Sequence, residues 1–472
     1  MNPDYPVNPV IFMPDTIVAL ATVFGRSGIG VIRLSGSDSF SISQKLVRDE
    51  NLTFRPRFAY LDQIRDLDTS EVIDEVLITY FKAPHSFTGE DVIEISCHGS
   101  PVLLRQVVDM CLQLGARMAD AGEFSLRALA NGRMNLAEAE AIRDLIDSQT
   151  MASARQAVRQ LRGEFSNHLQ PLKDDLLDVI VLLESAIEFV EDDLPVFQTE
   201  GIKTRLTAIA AETGKIAATF KAGKLIREGL KVVLAGRPNV GKSSLFNALL
   251  GSERAIVTEI AGTTRDQLYE KFTINDIPIS LIDTAGLRET TDAVEIIGVE
   301  RSKMTMADAD LVVVMLDGTY ELTAEDKEIL DMVKELNYLV VINKTDKADV
   351  AEIQYLIEKV RSQFTDHKNQ ILAISAKSGE GLKELEQAMI EPFAVEDLSD
   401  TGFLVSDARH HDLLLRAETE INNSLELLDK KTSEEIVLIG LHNALRYLGQ
   451  ITGETTTEDM LTRIFSTFCI GK

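Results

Sequence analysis

Apolar positions along this chain follow three rhythms. In the first 133 residues they form short runs between turn residues, which predicts strands over 16–21, 31–34, 72–81 and 92–96. Gly25, Gly28 and Gly30 cluster just before one of these runs. A strand pattern follows them, not a helix pattern, so the cluster reads as a tight turn between strands and not as a nucleotide loop. From Leu136 the period changes. Leu136, Ala139, Ile142, Leu145 and Ile146 step by three and four, and Leu161, Phe165, Leu169, Leu172 and Leu176 continue helical spacing. Pro171 is expected to open a new helix there. Glu191, Asp192, Asp193 and Pro195 mark a loop, and 200–226 reads helical again. The same spacing returns over 405–449, through Leu413, Leu414, Ile421, Leu425, Leu428, Ile436, Ile439, Leu445 and Leu448.

Between the helical stretches lies a third pattern, in which apolar runs each end in a polar motif. Val232–Ala235 leads into Gly236-Arg-Pro-Asn-Val-Gly241-Lys242-Ser243, with a helical run after it. Strand, G-x-x-x-x-G-K-S loop and helix in this order make a phosphate cradle. Asn239, Val240 and Gly241 supply the loop, Lys242 reaches the β- and γ-phosphates, the Ser243 hydroxyl ligates Mg²⁺, and Ser244 begins the helix beside it. The run 279–282 ends in Asp283-Thr284-Ala285-Gly286, which suits γ-phosphate sensing, with Asp283 reaching Mg²⁺ through a water. The run 339–342 ends in Asn343-Lys344-Thr345-Asp346. The Asp346 carboxylate matches the N1 and N2 donors of guanine, which adenine lacks, so GTP is favoured over ATP. The run 371–374 ends in Ser375-Ala376-Lys377, where a backbone N–H faces the guanine oxygen. Four such motifs at strand ends fit a doubly wound sheet that binds nucleotide at its carboxyl edge. Residues 223–390 resemble the translation-factor-like class of small GTPases.

The hydrolysis elements depart from the Ras pattern. Leu287 stands where Ras-type enzymes place a water-orienting Gln. The segment Thr258, Glu259, Ile260, Ala261, Gly262, Thr263, Thr264 reads as the first switch, with Thr264 a second Mg²⁺ ligand. Arg265 sits beside Asp266 and reads as a local ion pair, not an arginine finger. Glu295 lies among several carboxylates after the D-x-x-G element and, taken alone, reads as a solvated acid.

Composition narrows the setting. At 472 residues and 45% hydrophobic content, two or three domains with full cores are expected. Three cysteines fit a reducing compartment. The apolar stretch 16–24 is too short to span a bilayer and lacks a basic leader, so a cytoplasmic protein with no membrane role is expected. The net charge of −27 argues against broad polyanion binding but leaves room for a nucleic acid on a local surface. Arg155, Arg159 and Arg162, and Lys221, Lys224 and Arg227, are candidates, each group reading on its own as a solvated helix face.

The strings Gly262-Thr-Thr-Arg-Asp266 and Asp283-Thr-Ala-Gly-Leu-Arg-Glu289 resemble the tRNA-modification GTPase family MnmE, also called TrmE. So do Gly30-Val-Ile-Arg33-Leu-Ser-Gly36, Ser86-Phe-Thr-Gly-Glu-Asp91, Cys97-His-Gly99, Gly122-Glu-Phe-Ser-Leu-Arg-Ala128 and the ending Cys469-Ile-Gly-Lys472. The resemblance covers essentially the whole chain. It implies an α/β P-loop GTPase domain (223–394) inserted into an all-α helical domain (134–222 and 395–472). An α+β folate-binding and dimerisation domain (1–133) precedes both. It implies that K⁺ replaces the arginine finger, held by the Asn239 side chain and the carbonyls of Thr258, Ile260 and Thr263, with Glu295 catalytic through a water. It implies that 5-formyltetrahydrofolate or a relative contacts Arg33, Glu94, Arg133 and Lys472, although the family often has Lys where Arg133 stands. It implies a homodimer that joins the flavoprotein MnmG (GidA) in a heterotetramer, with FAD and NADH on that partner. The product would be an aminomethyl or carboxymethylaminomethyl group on carbon 5 of the wobble uridine, position 34, of certain tRNAs. The role of Cys469 stays open, and packing as a small apolar residue is one reading of it. The other readings for the chain are a ribosome-assembly GTPase and a regulatory switch GTPase without modification chemistry. Folate binding separates the first of these from a modification enzyme, and loss of wobble-uridine modification without the protein counts against the second.

Overall fold

The computed structural model describes residues 15–49, 53–188, 196–252, 269–283, 306–364, 370–393, 402–454 and 458–471. Contacts divide the chain into two compact units. One holds Met1–Asp147, Ala157–Gly214 and Asp412–Lys472; the other holds Ser148–Gln156 and Lys215–His411.

In the first unit six strands form one sheet: β1 (Ile17–Leu20), β2 (Ile29–Ser35), β3 (Ala59–Arg65), β4 (Val72–Phe81), β5 (Val92–His98) and β6 (Arg117–Met118), in the order β3-β4-β5-β2-β1-β6. β1 and β2 pair antiparallel, so the glycine cluster between them is a turn, as its spacing predicts. The alternation of β2 and β5 sends Ile32, Leu34, Ile93 and Ile95 to one face, where they meet Ile42 and Leu46 of helix Ser39–Val47 and Leu104 and Val107 of helix Pro101–Gln113. Each such fully buried side chain contributes about 1.5–3 kcal/mol. Ile17 and Ala19 point the other way, onto Phe124 and Phe87.

The same unit contains helices Leu136–Asp147, Glu164–Glu188, Glu434–Thr452 and Glu458–Phe465. Glu164–Glu188 packs along Glu434–Thr452, so helical segments from before and after the P-loop region share one unit. Pro171 does not open a helix; it lies inside Glu164–Glu188. The missing N–H costs one backbone bond, but Phe165, Leu169, Leu176, Val179, Ile180 and Leu183 are all buried along that helix and hold it continuous. The acidic loop 191–193 and Pro195 lie outside the described residues.

The second unit carries β7 (Leu230–Ala235), β8 (Tyr269–Ile274), β9 (Ile277–Asp283), β10 (Leu311–Asp317), β11 (Tyr338–Asn343) and β12 (Ile371–Ala373), in the order β12-β11-β10-β7-β9-β8. Every pairing is parallel except β8 with β9. β7, β10 and β11 are buried over most or all of their length, as a sheet covered on both faces requires. The chain runs from β7 to β9 on one side and then to β10 on the other. That reversal opens a crevice at the carboxyl ends of β7 and β10.

The segments entering and leaving this sheet lie together. A β-carbon on Gly223 would sit 2.1 Å from the Val405 carbonyl oxygen. Val405 N–H donates to Thr219 Oγ1 (3.0 Å), Arg227 Nη1 donates to Asp407 Oδ2 (2.8 Å), and Phe220 stacks on His411 with ring centroids 4.2 Å apart. Arg227 is therefore half-buried in an ion pair and not part of a solvated basic face. Burial alone would raise the Asp407 carboxyl, but the charges of His410 and Arg227 outweigh it and hold it below the usual range. Among the described residues no helix is long and apolar enough to cross a membrane.

Candidate functional site

The phosphate loop leaves β7 at Ala235 and enters helix Lys242–Ser252. Gly236 tolerates no side chain, because a β-carbon there would lie 2.6 Å from the Met315 carbonyl oxygen of β10. Asn239 and Gly241 both have positive φ, 65° and 103°, which turns consecutive amides toward the inside of the loop. Lys242 is buried at the helix start, and its Nζ donates to the carbonyls of Gly236 (2.6 Å) and Arg237 (2.9 Å). Ser243 and Ser244 are exposed in the first helical turn, where backbone N–H groups and the helix dipole favour an anion. Asp283 closes β9, and its backbone sits opposite Leu234 of β7.

The base-reading motifs are locked to this loop. Asn343 Nδ2 donates to Val240 O (2.9 Å), and Asn343 Oδ1 accepts from Ala376 N–H (3.0 Å). Lys344 Nζ donates to Asn239 O (2.7 Å). Ser375 Oγ donates to Asp346 Oδ1 (2.8 Å) and accepts from Ser378 N–H (3.1 Å), which turns the Asp346 carboxylate from behind while it stays exposed. Lys377 is exposed at the end of the same loop. Asn239, Val240, Asn343, Lys344, Asp346, Ser375 and Ala376 therefore form one bonded constellation, and Gly241, Lys242 and Ser243 continue it. Thr258, Glu259, Ile260, Ala261, Gly262, Thr263, Thr264, Thr284, Ala285, Gly286 and Glu295 lie outside the described residues.

Sequence reading missed two contributors. Arg237 runs over the Tyr320 ring (5.3 Å to the centroid), with its Nε 3.3 Å from Asp326 Oδ1, so the loop is braced from its outer side. Asp317, at the end of β10, accepts from Lys344 Nζ at 2.6 Å. The available signal was an unbroken apolar run ending in Asp-Gly, the same grammar as the other strand-end motifs.

The first unit holds a second constellation. Arg33 donates from Nε (2.9 Å) and Nη2 (2.7 Å) to Glu94 Oε1, and from Nη1 to Gly471 O (3.3 Å). Its guanidinium lies 5.6 Å from the Phe87 centroid and 5.7 Å from that of Phe124. Arg133 Nε donates to Ser86 O (3.2 Å), so Arg133 braces the loop that carries Phe87. The C-terminal tail reaches this place through a bridge between Ile470 and Ala121. Lys472 lies outside the described residues. Cys469 is exposed, so it is not packed as a small apolar residue. Cys97 and Cys111 are buried, and burial pushes both thiols up to about 12, which makes them poor nucleophiles. Among the described residues no group of three or more His, Cys, Asp or Glu side chains forms a metal centre.

Two family signatures match the chain: GTP-binding protein TrmE N-terminus over residues 16–133, and MnmE helical domain over 136–469. The chain is 42% identical over 461 residues to the tRNA modification GTPase MnmE of Aquifex aeolicus, covering 98% of this chain and 100% of that one. It is 41% identical over 467 residues to the protein of that name from Alkaliphilus metalliredigens, with the same coverage. It is 42% identical over 464 residues to that of Koribacter versatilis, again covering 98% and 100%.

Proposed function

Because this chain belongs to the MnmE family of tRNA modification GTPases, we propose that it spends GTP hydrolysis on remodelling carbon 5 of the wobble uridine, position 34, in a set of tRNAs. GTP binding, GTP hydrolysis and a role in tRNA modification come with the family. The finer reading is a cytosolic homodimer that works with the flavoprotein MnmG, takes a one-carbon unit from a folate, and is activated by K⁺. The observation that carries the nucleotide half is the single ammonium of Lys344 bonded to the phosphate loop at Asn239 O, beside the Asp346 carboxylate that matches guanine.

The residues divide the work. Asp346 selects guanine, and Asn343 fixes both the phosphate loop and the Ser375–Lys377 loop. Lys242 exchanges loop carbonyls for β- and γ-phosphate oxygens. The oxygen donors at Ser243 and Asp283 suit Mg²⁺, a hard ion, and the side-chain oxygen of Asn239 suits K⁺. A monovalent cation held there would neutralise charge developing on the bridging oxygen, the task an arginine finger performs elsewhere. Glu295 orients the attacking water through another water. In the first unit Arg33, Glu94, Arg133 and Lys472 offer charges to a folate, and the half-buried Phe87 beside Arg33 offers a ring face.

GTP turnover measured in K⁺ and in Na⁺ at matched ionic strength, with Glu295→Ala alongside, tests this reading. The expected result is strong K⁺ dependence, with turnover lost and GTP binding retained in the variant. Equal rates in both salts overturn the cation mechanism. Absence of 5-formyltetrahydrofolate binding by calorimetry overturns the folate assignment independently.

A further inference from the structure

Asp317 is the last residue of β10, in register with Asn343 of β11, and its side chain is almost completely buried. One carboxylate oxygen, Oδ2, accepts from Lys344 Nζ at 2.6 Å; the other accepts from Thr319 N–H (3.0 Å) and Thr319 Oγ1 (2.7 Å). Gly318 N–H donates to Asn343 O (2.8 Å), so the turn after β10 is fastened to the strand that delivers Lys344. Lys344 and Asn239 are both non-glycine residues with positive φ, 68° and 65°. Such conformations are strained and persist only when their surroundings over-determine them. Here one ammonium joins them, and Asp317 supplies its counter-charge.

We propose that Asp317 is a positioning residue for nucleotide recognition, acting through Lys344, which makes guanine reading and phosphate grip one mechanical unit. A lysine ammonium has three donors on a flexible stem. Asp317 fixes one donor and Asn239 O a second, which lays the stem along the side of the base site. Without the carboxylate, the ammonium turns to water and Asn239 O loses a rigid partner. Burial raises the Asp317 carboxyl, but the bonds from Lys344 and Thr319 outweigh this and keep it below the usual range, so it remains charged at neutral pH. Asp317 touches no substrate in this role.

A double-mutant cycle in the full chain tests the proposal. Asp317→Ala, Asp317→Asn, Lys344→Ala and the combinations are compared by Kd and dissociation rate of fluorescent GDP, and by melting temperature. Asp317→Ala is expected to weaken GDP about tenfold, the scale of one charge-assisted bond. Placed on Lys344→Ala, the same change is expected to cost less than about twofold, because its route is already gone. Asp317→Asn keeps the shape and one acceptor, so it remains folded if the alanine variant does not, and is expected to lose about threefold with the same dependence on Lys344. Equal losses with and without Lys344 overturn the proposal. So do wild-type GDP binding and dissociation in Asp317→Asn accompanied only by a lower melting temperature, which marks Asp317 as a cap of its own turn.

Discussion

Gly241 approaches Asn343 so closely that a β-carbon on it would lie 2.2 Å from Asn343 Nδ2. The same nitrogen donates to Val240 O, one residue earlier. The phosphate loop and the guanine-reading motif are thus pressed together with no room for a methyl group.

Gly241→Ala is therefore expected to strain a φ of 103° and to push Asn343 off Val240. GDP affinity should fall at least about 100-fold, since the loss combines backbone strain with a broken buried bond. Titration with fluorescent GDP reads this, and wild-type affinity in the variant would refute the packing argument.

Asp346→Asn exchanges an acceptor pair for one acceptor and one donor. Against guanine N1–H and N2–H₂ the donor has no partner, whereas xanthine presents an oxygen at that place. The expected outcome is a GTP affinity lower by about 100-fold or more and a gain for XTP, the penalty being an unpaired polar group. Competition binding with both nucleotides gives the answer.

Glu123 is buried and accepts from Arg117 Nη2 (2.7 Å), Arg127 Nη2 (2.9 Å) and Asp120 N–H (2.8 Å). Burial raises its carboxyl, but these donors, Arg117 foremost, outweigh the effect and leave it below the usual value. A depressed folded-state value stabilises the protein above the unfolded value, near pH 4.3, and that contribution fades as pH falls through the folded one. Glu123→Gln should cost about 3–5 kcal/mol at pH 7, the range for breaking a buried pair. The gap to wild type should shrink in melts taken below pH 4. A gap that stays constant from pH 7 to pH 3 would contradict the assignment.

Gly471 has a φ of 95°, and a β-carbon there would sit 2.5 Å from the Leu20 carbonyl oxygen. Gly471→Ala should release the tail from Arg33. Faster trimming by carboxypeptidase and weaker 5-formyltetrahydrofolate binding are the expected readouts. A tail trimmed as slowly as in wild type would show that Gly471 is not what seats it.

Most of the fold was legible where one face of an element is buried and the other is not. The alternation in Val72–Phe81 and the three–four stepping from Leu136 both follow from half-burial. The motif-bearing strands were legible because each ends in groups that only phosphate or guanine explains. β10 was not, because Leu311–Asp317 is buried along its whole length and an unbroken apolar run carries no period. Asp317 was missed along with its strand. β3 and β6 lie at the sheet edges, where polar residues dilute the alternation. Pro171 misled because a local rule about missing N–H groups yielded to packing along Glu164–Glu188. In the first unit the charges at Arg33 and Glu94 were visible, but their salt bridge spans 61 positions and the tail contact spans 438, distances that no local pattern encodes.

The fastening of Gly223 to Val405 and of Arg227 to Asp407 has a topological consequence. The long passage of the chain through the P-loop unit, Lys215–His411, begins and ends at nearly the same point, like a bead hung from one knot. A module whose ends meet can be spliced into a host loop without stretching the host, which is the geometry that tolerates insertion. The same geometry lets it be cut out again. A short flexible bridge in place of the bead would rejoin the severed host, and the excised segment would carry its own knot with it.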